Sequence, residues 1–180
     1  MAREDEIIKE RLRKIQELRK LGIKPYAYRF DVKHYASEIL GKFKKLKPGQ
    51  SLKGSKNKAA IAGRLLSIRG HGKLNFAHLQ DSSGKIQLAF EEKNLGRKLG
   101  FFKKFIDTGD IIGIEGTVFK TQRGEITILV KKFELLSKAI RPLPEKWYGL
   151  KDLEARYRQR YVDLFVNPET RKIFVARTKI

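Results

Sequence analysis

Hydrophobic and polar positions follow two rhythms along this chain. Ile8, Leu12, Ile15 and Leu18 recur at helical spacing, Glu4, Asp5 and Glu6 occupy the first turn, and Gly22 and Pro25 end the run. That pattern predicts an amphipathic helix. Ile39, Leu40 and Phe43 anchor a second, shorter helix over about 34–46, and KLKPGQSLKGSKNK (45–58) holds little to bury and reads as a loop. From residue 59 to 137 the period becomes two. AAIAGRLLSIRG, KLNFAHLQD, KIQLAF, DIIGIEGTVFK and EITILVKKFELL are five strand-like runs, with glycine turns at Gly70–Gly72, Ser82–Gly84 and Gly124. In the fifth run Ile126, Ile128 and Val130 face one way and Glu125, Thr127 and Lys131 the other. Between the third and fourth runs, LGRKLGFFKKFI (95–106) reads as a helix. AIRPLPEKWYGL (139–150) predicts a stiff, non-helical linker. A helix over about 150–165 follows, with Leu153, Tyr157, Tyr161 and Leu164 on one face. Asn167-Pro168 opens a last helix whose stripe is Ile173, Ala176 and Ile180. The sequence stops on that stripe with no stop signal, which predicts a chain cut in mid-helix.

Five strands with a helix between the third and fourth is the order of an OB-fold, a small Greek-key barrel that binds oligonucleotides on one open face. A five-stranded SH3-like barrel lacks that helix. The expected class is therefore α+β: a five-stranded OB-fold barrel over 59–139, preceded by helices and a basic loop (1–58) and followed by a linker and hinge helix (140–166).

Charge adds a partner to this picture. Lys and Arg number 41 against 20 Asp and Glu, a net charge of +21, while 41% hydrophobic residues are enough for a core. Between Glu38 and Asp81 there is no acid, yet Lys42, Lys44, Lys45, Lys47, Lys53, Lys56, Lys58, Arg64, Arg69 and Lys73 all fall there. Such a run repels itself unless a polyanion neutralises it, and nucleic acid is the first expectation. A solvated basic face that only confers solubility is the alternative. With no cysteine, a disulfide scaffold, a Cys-ligated zinc and a thiol nucleophile are excluded. His34, His71 and His78 are too scattered for a His-rich metal site. No run approaches the roughly 18 apolar residues of a membrane span, and the N-terminus has no apolar signal segment, so a cytoplasmic protein without membrane contact is expected.

Candidate chemistry is confined to binding. Gly70-His71-Gly72-Lys73 fails as a phosphate loop, because Ser67 stands where the first glycine belongs and Leu74 follows the lysine. Asp107 and Asp110 read as a turn into the fourth strand and Asp81 as another turn residue. No catalytic or metal site is expected. On the barrel, if Ala77, Leu79, Ile86 and Leu88 face the core, then Phe76 and Gln87 lie on the outer face of neighbouring strands. An exposed Phe is a platform for an unstacked base, and Gln offers a donor and an acceptor to a base edge. Glu125 at the last hairpin can accept from a base N–H, and Arg64 on the first strand can stack or bind phosphate. The competing reading buries Phe76 and leaves Gln87 as plain polar surface.

AGRLLSIRGHGKLNFAHLQDSSGKIQL, DTGDIIGIEGTVFKTQRGEITI and LLSKAIRPLPEKWYGLKDLEARYRQRYVDL resemble the N-terminal part of class II lysyl-tRNA synthetases. The first two blocks are shared in looser form by the aspartyl and asparaginyl enzymes; the run RPLPEKWYGLKDLEARYRQRYVDL is lysyl in type. The resemblance extends from about Ile8 to Ile180 and is weakest over 31–58. It implies that the barrel holds the anticodon loop of tRNA-Lys with its central uridine splayed out, Phe76 stacking on it, Gln87 and Glu125 reading its edge, and Arg64 packing against the same base. His78 departs from the small or β-branched residue of many relatives. Residues 167–180 resemble the truncated start of the catalytic domain. The resemblance implies for the parent enzyme a homodimer that joins lysine to tRNA through a lysyl-adenylate, using ATP and Mg²⁺. This chain itself is expected to hold no cofactor and to be inactive alone. A free-standing OB-fold protein binding single-stranded nucleic acid or tRNA is the alternative.

Overall fold

A computed structural model describes residues 2–51, 57–143 and 152–180. They divide into two units, Met1–Pro142 and Leu143–Ile180. In the first, helix α1 (Ala2–Lys20) and helix α2 (Ala36–Phe43) precede strands β1 (Lys58–His71), β2 (Leu74–Gln80) and β3 (Lys85–Glu91). Helices α3 (Glu92–Leu95) and α4 (Arg97–Phe105) then lead to β4 (Ile111–Lys120) and β5 (Ile126–Ser137). The strands close into a barrel in the order β1-β2-β3-β5-β4. The β3–β5 seam is parallel and the other pairings are antiparallel. This is the OB-fold topology that the order of strands and helix predicts.

Alternation along the strands fills the barrel. Ile61, Leu65, Leu79, Ile86, Leu88, Ile112, Ile114, Val118 and Ile128 are buried inside it, and Leu99, Phe102 and Phe105 of α4 extend the same core. The Phe90 and Phe102 rings stack at 3.9 Å. Closing five strands brings backbones together. A Cβ at Gly116 would stand 2.2 Å from the Leu129 carbonyl oxygen, so glycine is required there by close approach.

Several elements differ from the sequence expectation in informative ways. The helix expected over 95–106 begins at Glu92 and breaks at Gly96, whose φ of +53° only glycine adopts readily. The second helix is confined to 36–43. Its N-terminus is held by the β2–β3 turn: Asp81 Oδ2 accepts from the Ala36 N–H at 2.7 Å and Ser83 Oγ from the Ser37 N–H at 3.0 Å. On α1 the buried stripe is Arg11, Ile15 and Leu18, while Leu12 is 42% exposed. The Arg11 guanidinium donates to the carbonyls of Thr108, Ala139 and Arg141, which ties the helix to the barrel. Of the expected loop 45–58, residues 52–56 lie outside the described residues, Lys53 and Lys56 among them; most of the expected linker, from residue 144 on, does too.

The second unit contains α5 (Leu153–Arg158), α6 (Arg160–Val166) and α7 (Pro168–Lys179). The single helix expected over 150–165 is broken at Gln159. Arg156 and Asp163 would stand about 10 Å apart along an unbroken helix, yet Arg156 Nε donates to Asp163 at 2.9 Å across the break. Arg160 and Asn167 donate to the same carboxylate. Burial raises the Asp163 pKa, but these donors outweigh it and hold the carboxyl below its usual range. Asn167 thus spends its amide on Asp163 rather than capping α7, whose start is set by Pro168 at its first turn. Leu153, Tyr157 and Tyr161, expected to share a face, are all exposed in this unit.

Candidate nucleic-acid interface

The outer face of β1, β2 and β3 carries the polar chemistry. Ala77, Leu79, Ile86 and Leu88 are buried, and Phe76, His78 and Gln87 are half-buried on the opposite face. Phe76 is therefore not part of the core. Register sets its neighbours: His78 pairs with Gln87, and Phe76 with Ala89 on one side and Arg69 on the other.

The turn from β4 to β5 delivers Glu125 to this face. Thr121 and Gly124 close the turn through a Gly124 N–H to Thr121 O bond of 2.9 Å, with Gly124 at φ +86°. The Thr121 hydroxyl accepts from the Glu125 N–H at 3.0 Å. From there the Glu125 carboxylate accepts from Gln87 Nε2 on one oxygen at 2.5 Å and lies 3.1 Å from His78 Nε2 on the other. Thr127 was expected to be an ordinary outward residue. It is buried, because β5 passes beneath Gln87 at the parallel seam, and its hydroxyl donates to Gln87 Oε1 at 2.7 Å. That bond fixes the amide: the oxygen is taken by Thr127, so the NH2 faces Glu125 and the open side of the barrel.

Of the four residues singled out from sequence, Gln87 and Glu125 meet directly and Phe76 shares their face. Arg64 lies on that face too, at the other end of β2, opposite Gln80. Its guanidinium donates to the Gly109 carbonyl at 2.9 Å. Burial lowers its pKa, partly offset by Asp110. The cation that the register places beside Phe76 is Arg69, which is exposed. Sequence reading grouped it only with the basic run, because the bulge between Leu65 and Ser67 shifts the β1 register in a way alternation does not reveal.

One cation of the basic run, Arg69, adjoins this face, and the backbone at Lys44 and Leu46 is tied to Lys120 at the end of β4. Lys42, Lys44, Lys45, Lys47, Lys58, Arg69 and Lys73 are all exposed, and none has an acid at salt-bridge distance among the described residues. A separate cleft of about 800 Å³, floored by Phe101, Phe133 and Leu135, holds none of the four predicted residues. No described helix is long and apolar enough to cross a membrane.

Comparison with known proteins agrees with the fold. The family model described as an OB-fold nucleic acid binding domain, of the tRNA anti-codon type, matches residues 59–136. The chain is 52% identical over 178 residues to a lysine–tRNA ligase of Carboxydothermus hydrogenoformans, covering 98% of this chain and 34% of that protein. It is 51% identical over 176 residues to the lysine–tRNA ligase of Syntrophomonas wolfei, covering 97% and 34%. With that of Thermotoga maritima the identity is 46% over 175 residues, again covering 97% and 34%. The chain thus spans about a third of the length of the curated relatives it matches. Over nearly its whole length the chain is similar to the N-terminal region of lysine–tRNA ligases, and its residues 59–136 belong to the tRNA anti-codon type of OB-fold nucleic acid binding domain.

Proposed function

We propose that the outer face of the barrel binds the anticodon loop of tRNA-Lys and reads its central uridine, as the tRNA-recognition part of a lysine–tRNA ligase. The observation that carries this reading is the Gln87–Glu125 pair with its amide orientation fixed by Thr127. It presents an N–H donor and a carboxylate acceptor side by side. Uracil shows a carbonyl next to an N3–H, which complements that pair. Cytosine reverses the pattern, setting its amino group against the Gln87 N–H and its N3 lone pair against the carboxylate. Phe76, two positions along β2 from His78, supplies the shelf on which the splayed base stacks, and Arg69 beside it supplies a guanidinium for the ring or the adjoining phosphate. Arg64, at the far end of the face, serves the flanking backbone.

The same reading carries the family's wider chemistry to the parent protein: a cytoplasmic homodimer that forms lysyl-adenylate from lysine and Mg²⁺-ATP and transfers lysine to tRNA-Lys. Among the described residues no group of three or more His, Asp or Glu could hold a metal ion, and no chemical step is assigned to them.

Binding of two anticodon stem-loops, with U or C at the central position, tests the reading by fluorescence anisotropy. The U-centred loop is expected to bind about tenfold tighter, within the range of one good bidentate contact. Phe76→Ala should weaken it by about 1–3 kcal/mol. Equal affinity for both loops returns the chain to a free-standing, sequence-tolerant single-strand binder. Unchanged affinity in folded Phe76→Ala removes the stacking shelf.

A further inference from the structure

The geometry points to His78 as the positioning residue that makes Glu125 a specific reader; the inference rests on the base-reading role of Gln87 and Glu125. Glu125 sits just beyond a turn, with its side chain 47% exposed. Alone, such a side chain would sample many rotamers and would have to be frozen by the incoming base. Two donors from different strands hold it beforehand. Gln87 of β3 takes one oxygen, and His78 of β2 approaches the other.

The protons in this relay can be assigned. A carboxylate only accepts, so His78 Nε2 carries the proton shared with Glu125. In the neutral ring Nδ1 is then an acceptor, and the Ser67 hydroxyl, 3.1 Å away, donates to it. Ser67 is in place because the β1 bulge skips Leu66 and sets Ser67 opposite His78. The relay therefore runs Ser67 to His78 to Glu125 from one side and Thr127 to Gln87 to Glu125 from the other. Both ends rest on strand hydroxyls, and the carboxylate keeps lone pairs toward solvent for a base N–H. His78 need not touch RNA. It acts through Glu125, and its effect belongs in the preference between bases rather than in overall affinity.

The test compares the U- and C-centred stem-loops on wild type, His78→Phe, His78→Gln, Ser67→Ala, Glu125→Gln and the His78→Phe/Glu125→Gln double variant, with melting curves for each. His78→Phe keeps ring volume and loses both hydrogen bonds, and should cut the U-over-C ratio about fivefold, mostly by weakening the U loop. His78→Gln, which restores an N–H toward Glu125, should recover most of it. In the Glu125→Gln background His78→Phe should change the ratio no further. Undiminished preference in folded His78→Phe overturns the proposal, and so does equal weakening of both loops, the signature of a merely structural residue. If His78→Phe does not fold, Ser67→Ala decides: a drop of about twofold in the ratio supports the relay and no drop ends it. A wild-type chain without any U preference would instead defeat the base-reading role itself, and the role of His78 with it.

Discussion

Replacing Lys138 by Met should cost about 3–5 kcal/mol of folding stability, measured by urea unfolding at neutral pH. Lys138 follows β5 and is fully buried; its ammonium lies 2.5 Å from Asp107 and 2.7 Å from Asp110. Asp110 is itself completely buried and accepts the backbone N–H groups of Asp107 and Ala139. Asp107 has a second cation, Lys14 of α1, at 2.8 Å. Burial raises both carboxyls. At Asp107 the hydrogen bonds from Lys138 and Lys14 outweigh it and leave the pKa below its usual value; at Asp110 burial prevails and the pKa stays above it. Met of similar length fills the space but takes the ammonium away from both carboxylates, leaving Lys14 beside Asp107 and Asp110 with only the more distant charge of Arg64. The penalty comes from stranding charge, so it should depend on pH with a definite sign. Without Lys138 both carboxyls would titrate above their unfolded values. A carboxyl so raised destabilises the fold at pH above its folded pKa, and protonation relieves it. The gap between wild type and variant should therefore be widest at neutral pH and narrow as pH falls toward about 4. A loss under about 1 kcal/mol, or a gap that widens in acid, would show that the cluster does not hold the turn into β4.

This cluster marks one limit of what the sequence discloses. Asp107 and Asp110 read as turn residues, and locally they are, since Asp110 Oδ2 accepts the Asp107 N–H. Nothing in that stretch indicates that Lys138, about thirty positions on, is folded back onto them. The barrel itself was legible because its determinants are local: a period of two, glycine turns, and one helical run between the third and fourth strands. Where a helix depends on a distant partner the reading failed. Arg11 lies on the buried side of α1 because three carbonyls from the far end of the barrel meet it there, and Leu12 is displaced to the surface. The break between α5 and α6 follows from Asp163 collecting Arg156, Arg160 and Asn167, which helical periodicity cannot show.

The candidate site was legible to the extent that alternation decides it. Phe76, His78 and Gln87 follow from the parity of Ala77, Leu79, Ile86 and Leu88, and each lies on the expected side. Partnership was not legible. Gln87 meets Glu125 and Thr127 only because β3 and β5 pair in parallel, a long-range closure. The exchange of Arg64 for Arg69 beside Phe76 depends on a single extra residue in β1. Composition predicted a polyanion partner, and the structure adds where some of the cations stand: Arg69 beside Phe76, and an exposed group on the segment from Lys42 to Lys47.

Those cations set the expectation with the largest effect on binding. Raising salt from about 50 to 200 mM should weaken the U-centred stem-loop about 300-fold. The estimate takes about six of the seven exposed, acid-free cations as each neutralising one phosphate. A single-stranded loop then gives a slope of log K against log salt of about −0.7 × 6, or roughly −4, and a fourfold rise in salt multiplies out to that loss. The base-specific part should behave differently. Gln87, Glu125 and Phe76 release no counterions when they engage a base, so the ratio between U- and C-centred loops should stay constant across the titration while both affinities fall together. Removing two lysines at once, Lys44→Ala with Lys45→Ala, should flatten the slope by about 1.4 and leave the ratio unchanged. A slope near zero would mean that the basic run does not face the RNA. A ratio that collapses with salt would mean that discrimination comes from phosphate placement rather than from the donor and acceptor on β3 and the final hairpin.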